Sequence, residues 1–216
     1  DVDRAVPRAL ATVGGMLLLV AGLAGCGASI GSPPPASSDA PVGQSLGSLT
    51  PAPPEGSVTG QGTVLDQDGD VELCLGPIAE SYPPQCSGIP LDGWSWEDID
   101  GYDESGTTRW GAYAVRGTYD GTRFVSDGEP IPLALYDPIA EEDPTGGLAG
   151  VTSDADLQVI QDDVSERRID GVLSTVPENG YLWMDVVWDD GTWQRAADDD
   201  FGEGVVVIRS ALRQDE

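Results

Sequence analysis

A break in composition near residue 57 decides how much of this 216-residue chain can fold. Residues 27–57 are mainly Pro, Ser, Gly and Ala, with runs at Pro33-Pro34-Pro35 and Pro51-Ala52-Pro53-Pro54 and almost no large apolar side chains. A segment of that kind cannot bury enough surface to offset the entropy of ordering it, and reads as a disordered tether spanning roughly 30 Å as a flexible coil. Any core must come from the roughly 160 residues that follow, enough for one two-part domain or two small ones. The organisation read on this basis is a leader at 1–25, a tether at 26–57, a β-rich subdomain at 58–137, a linker at 138–150 and an α+β subdomain at 151–216.

In the leader, Arg4 and Arg8 precede an uncharged stretch, residues 9–25, which is marginal for crossing a hydrocarbon layer about 30 Å thick. A charged start, an apolar middle and small residues at the end describe a secretory signal. Leu23-Ala24-Gly25-Cys26 resembles the lipobox of bacterial lipoproteins. The resemblance implies cleavage between Gly25 and Cys26, acylation of the Cys26 thiol with palmitate-type chains, and a mature protein held on the outer face of the plasma membrane. Two acyl chains suffice for stable anchoring where one is marginal.

The chain carries 38 acidic and 10 basic side chains, a formal charge of -28, and no His. Every basic residue is Arg. Without imidazole there is no Ser-His or Cys-His nucleophile and no HExxH zinc site; without an amine there is no Walker A loop or Schiff-base chemistry. The missing Lys has a bland cause in a GC-rich codon supply, so the His absence is the firmer negative. Leader cleavage removes Asp1, Asp3, Arg4 and Arg8, so the exported part keeps the full charge of -28. Nucleic acid is not an expected partner, because binding a phosphate backbone rests on Lys and Arg releasing its counterions.

Once Cys26 is acylated, Cys74 and Cys86 are the remaining thiols. An even pair in an oxidising compartment predicts a disulfide, stabilising by roughly 3 kcal/mol for a loop of this size on the chain-entropy argument. From 60 to 136 the pattern is β. Residues 63–65 and 71–75 flank Asp68-Gly69-Asp70, residues 110–119 lead through Asp120-Gly121 into 122–125, and 131–136 add an edge strand because of Pro132. Such strands predict a small barrel, OB-like, or a sandwich.

Past the linker the period changes. Ser153 as a cap and Leu157, Ile160 and Val164 at helical spacing predict a helix over 154–168, with Arg167-Arg168 at its carboxyl end. Strands follow at 171–176 and 181–188 across the Pro177-Glu178-Asn179-Gly180 turn. Trp193, Ala196, Ala197 and Phe201 predict a second helix stopped by Gly202, and 205–208 a buried strand. The order is αββαβ, and the fold class α+β, with helices on one face of a sheet.

Residues 60–125 and 178–213 also resemble a group of actinobacterial cell-envelope lipoproteins. The likeness is carried by Leu73-Cys74-Leu75-Gly76, Glu80-Ser81-Tyr82-Pro83-Pro84-Gln85-Cys86-Ser87-Gly88, Gly117-Thr118-Tyr119-Asp120-Gly121-Thr122, Glu178-Asn179-Gly180-Tyr181 and Gly204-Val205-Val206-Val207-Ile208-Arg209-Ser210-Ala211-Leu212-Arg213. That group has no assigned activity, so the likeness implies location and architecture but no chemistry.

Three kinds of site are read from the residues. Asp66, Asp68, Asp70 and Glu72 alternate as calcium-loop carboxylates do, although Gly69 stands where an EF-hand has none; the plain reading is a solvated hairpin turn, and no other cofactor is expected. Asp198-Asp199-Asp200 reads as a solvated helix end that opposes the dipole. Trp94 and Trp96, two apart and so on one face if they lie in a strand, and Trp183 and Trp188 beside carboxylates, are candidates for stacking on sugar rings, although the plain reading of aromatics in a small β domain is core. The function expected is a binding module for an envelope protein or wall glycan. The alternative is a carboxylate-based hydrolase of a cell-wall glycan using pairs such as Asp98 with Asp100 or Asp189 with Asp190.

Overall fold

The structure, a computed structural model, describes residues 44–138 and 143–215. The leader, the lipobox residues Gly25 and Cys26, the tether up to residue 43 and residues 139–142 of the expected linker lie outside the described residues.

β1 (Val58–Gln67) is the element shared by the whole fold. It turns into β2 (Asp70–Cys74) through Asp68 and Gly69, whose φ angles of 58° and 97° are the left-handed pair that a two-residue hairpin loop demands. β3 (Ile89–Asp92) pairs antiparallel with β2. β5 (Thr108–Tyr119) and β6 (Phe124–Ser126) form the second predicted hairpin, and β6 runs parallel to β3. β5 then lies antiparallel along all of β1, from Val58↔Gly117 to Gln67↔Thr108. The order β1-β2-β3-β6-β5-β1 is a closed five-stranded barrel with OB-like connectivity. Two short strands, β4 (Asp103–Ser105) and β7 (Ile131–Pro132), attach to β5, the second at the edge position that Pro132 requires.

Val58, Val64, Leu73, Tyr113, Val115 and Phe124 fill the barrel. Its closure depends on two missing side chains: a Cβ on Gly62 would stand 2.2 Å from the Cys74 carbonyl oxygen, and one on Gly117 2.1 Å from that of Val125. Cys74 is bonded to Cys86 as expected, which ties the end of β2 to the segment before β3.

The second half follows the predicted order. α1 (Asp154–Arg167) starts at Ser153, whose side chain accepts from the Asp156 N–H. β8 (Val172–Glu178) and β9 (Tyr181–Val186) form a hairpin across Asn179 and Gly180, again with two positive φ angles, 52° and 80°. α2 (Thr192–Phe201) carries the chain to β10 (Val206–Ser210), parallel to β9. Leu157, Val164, Trp193, Ala196 and Ala197 from the helices pack on Leu182, Met184, Val186 and Val206, so both helices cover the same sheet face.

Two features differ from the expected division of the chain. First, β11 (Leu212–Gln214) returns to pair antiparallel with β1, with Gly60 opposite Leu212, so the last residues assigned to the α+β subdomain complete the barrel sheet. Second, residues 44–57, assigned by composition to the disordered tether, are packed as a strap. Leu46 is only 3% exposed within the helical core. Trp193 Nε1 donates to the Leu49 carbonyl at 2.8 Å and Trp188 Nε1 to the Ala52 carbonyl at 2.9 Å, so the strap supplies acceptors that a buried and a half-buried indole need. Asp200 fastens the start of the strap, accepting from the Leu46 N–H and the Ser45 hydroxyl at 2.9 Å each and pairing with Arg167. Asp198 accepts from the Gly204 N–H at 3.0 Å. Two members of the acidic run are therefore internal fasteners rather than a solvated end.

Replacing Leu46 by Ala should cost about 2–5 kcal/mol, the range for truncating a buried Leu, whereas Leu49→Ala should cost less because Leu49 is 37% exposed; denaturant unfolding of the two variants checks this. Desolvation by itself would raise the Asp200 pKa, but hydrogen bonds from Arg167, Leu46 and Ser45, with the Arg167 charge, outweigh it and hold the carboxyl below its ordinary value of 3.8. A depressed carboxylate contributes stability above the ordinary value and loses it as pH falls through the lowered one. Asp200→Asn should therefore be destabilised at pH 7 by about 1–3 kcal/mol and lose less further stability on acidification below 3.8 than the parent chain.

Candidate functional site

The four candidate tryptophans fall at three places. Trp94 and Trp96 do not share a strand: β3 ends at Asp92 and Gly93, with φ 76°, turns the chain out of it. Their rings meet edge to face at 5.2 Å, and stand against Tyr113 at 5.3 and 6.3 Å, half-buried on the barrel core. Trp96 Nε1 donates to Asp66 Oδ2 at 2.8 Å. This pair closes the barrel end beside the β1–β2 turn and is packing rather than a free platform. Trp188 packs on the same core, with its N–H held by the strap.

The acidic hairpin is not gathered into one ligand set. Asp66 Oδ1 accepts from the Gly69 N–H at 2.8 Å, and its other oxygen serves Trp96. Asp66 pairs with Val71 and Leu65 with Glu72, so strand alternation sends the Asp66 and Glu72 side chains to opposite faces. Among the described residues the ligand-type side chains that converge are Glu72, Cys74 and Cys86. Joined as a disulfide, those cysteines offer no thiolate.

Trp183 is placed differently. In β9, Leu182, Met184 and Val186 point to the helices, so Tyr181, Trp183 and Asp185 project from the face that neither helix covers. Register then assembles two rows across the sheet. Val176 and Val207 stand opposite Trp183, making an apolar row in which Val176 is 45% exposed; Ser174 and Arg209 stand opposite Asp185, making a polar one. Tyr181 meets Trp183 edge-on at 6.0 Å, and the Arg209 guanidinium carbon lies 4.9 Å from the Trp183 ring centre, within cation–π range. Arg209 Nε and the Ser174 hydroxyl both donate to Asp185, each at 2.8 Å.

The polar row opens into a cleft of about 430 Å³ to which the barrel contributes Gln61 and the returning chain Ser210 and Arg213. The result is an aromatic platform flanked by donors and acceptors whose rotamers are already fixed by one another. Such a surface fits a ligand with an apolar face and a hydroxylated edge. Of these residues only Trp183 was singled out in the sequence. Tyr181 and Asp185 were readable from the alternation within β9; Ser174, Arg209, Arg213 and Gln61 enter through strand register and the return of β11.

Of the two carboxylate pairs, Asp189 and Asp190 are engaged by the backbone. Asp189 accepts from the Trp193 N–H at 2.9 Å and the Gln194 N–H at 3.2 Å, capping α2 in place of Gly191. Asp190 accepts from the N–H groups of Thr192 and Ala52 at 3.0 and 3.2 Å, and hydrogen bonding led by Thr192 lowers its pKa, the direction opposite to that of a general acid. The Asp100 carbonyl accepts from the Tyr113 hydroxyl at 3.1 Å. No protein-family model, curated protein or solved structure matches the chain.

Proposed function

We propose that this chain is a lipid-anchored binding module, displayed on the outer face of the plasma membrane, that takes a neutral glycan of the cell envelope on the open face of the β8–β9–β10 sheet. The observation that carries the reading is the juxtaposition of Tyr181 and Trp183 with the Ser174, Asp185 and Arg209 row on a face without a covering helix. A sugar ring presents C–H groups on one face and hydroxyls at its edge. Trp183 takes the first, and the carboxylate, guanidinium and hydroxyl take the second by directional hydrogen bonds.

The charge of -28 narrows the ligand. An anionic polymer is repelled over the whole surface, while a neutral one is indifferent to net charge and responds to local contacts. The lipobox resemblance at Cys26 supports the location. Binding rather than hydrolysis is supported by the engagement of Asp189 and Asp190 with backbone N–H groups, which leaves neither placed as an acid facing a partner base.

Trp183→Ala should weaken binding of a neutral envelope oligosaccharide about tenfold, as expected for loss of an aromatic contact of up to about 1.5 kcal/mol, while Leu135→Ala at an exposed distant position leaves it unchanged. Equal affinity of Trp183→Ala and the parent in calorimetry would refute the surface. Cys26→Ala should move the protein out of the membrane fraction, and retention there would refute the anchor.

A further inference from the structure

A second cleft, of about 590 Å³, lies where the strap, the start of β3, the β5–β6 turn and the turn after α1 meet. That volume is within the usual range for small-molecule sites. Its walls are mixed, with an apolar part from Leu49, Pro51, Ile89, Ile169 and Trp188 beside polar residues that include Thr50, Thr122 and Arg167. Because the indole N–H groups of Trp188 and Trp193 are committed to strap carbonyls, both rings present hydrocarbon rather than donors.

Among the charged residues of the wall, the exposed Arg168 is the one a ligand can pair with. Arg168 is the C-cap of α1, at φ 50° and ψ 54°, a left-handed position where Gly or Asn is normally favoured. Among the described residues its side chain has no hydrogen bond, ion pair or ring contact. The other described arginines are engaged: Arg109, Arg116, Arg123, Arg167 and Arg209 with carboxylates, Arg195 with Thr192, and Arg213 with a partner of its own. A guanidinium without a partner among the described residues is conspicuous in so acidic a chain. Asp170 lines the same wall without pairing to it, which with the overall charge restricts an anionic ligand to a single negative charge.

We propose that this cleft binds a monoanionic amphiphile, a fatty-acid-like carboxylate whose apolar chain lies against Leu49, Ile89 and Trp188 and whose carboxylate pairs with the Arg168 guanidinium. The site is independent of the glycan surface, from which it differs in every lining residue. The test uses the full chain carrying Cys26→Ala, so that no acyl group is attached, and dodecanoate below its micelle-forming concentration, with dodecanol and dodecyltrimethylammonium as neutral and cationic probes. Calorimetry and tryptophan emission should show saturable binding of one dodecanoate per chain, at least tenfold tighter than either control. Arg168→Gly suits the left-handed backbone and so keeps the fold; it should abolish the preference for the carboxylate while dodecanol binding stays within twofold. Leu49→Asp should weaken dodecanoate more than dodecanol. The proposal is overturned if dodecanoate does not saturate, if Arg168→Gly keeps the preference, or if uptake falls with protein concentration because a second copy fills the cleft.

Discussion

The pairing of β1 with β5 along its entire length is the constraint on which the rest of the molecule depends. It closes the barrel, and it fixes where the remaining edge of β1 can accept β11. Because Thr59 pairs with Arg213 and Gly60 with Leu212, the end of the α+β half is brought beside Gln61, and the polar cleft next to the Asp185 row exists only through that return. Gly62 and Gly117 make the closure sterically feasible, since either Cβ would collide with a backbone carbonyl of the neighbouring strand. A barrel and a helix-covered sheet that look separable along the chain are in this way one compact body.

The strap acts on the other side of the same junction. It buries Leu46, gives two indoles their acceptors and is held by Asp200 and Arg167. Much of the acidity therefore has specific work inside the fold: Asp66 orients Trp96, Asp189 and Asp190 cap α2, Asp198 closes the turn after it, and Asp185 holds Arg209 against Trp183. What the acids leave exposed sets a repulsive background against which a neutral ligand, or one anion meeting the exposed Arg168, is distinguished.

Local chemistry was legible in the residues, and non-local pairing was not. Asp68-Gly69 and Asn179-Gly180 announced their hairpins because two left-handed residues suit few other structures, and Ser153 announced α1 because its hydroxyl caps an N–H three residues on. The strap was hidden because Leu46 and Leu49 are isolated in a stretch whose average composition is that of a coil; one well-seated side chain and two indole donors overrode the average. Trp94 and Trp96 pack on the barrel core as aromatics in a small β domain usually do, but they share no strand face, because spacing of two implies one only inside a strand and Gly93 ends it. Arg209 lies 24 residues from Asp185, and nothing in the alternation of either strand specifies the parallel register that joins them.

In the proposed function the uncovered sheet face receives the ligand, and the tryptophans that pack the barrel do not. A titration of the ¹⁵N-labelled protein with a neutral envelope oligosaccharide tests it directly. Saturable shifts of the Trp183 indole N–H and of the Tyr181, Asp185 and Arg209 amides are expected, with the Trp94, Trp96 and Trp193 indoles unmoved. Shifts confined to Trp94, Trp96 and the β1–β2 turn, or none at saturating ligand, would contradict it.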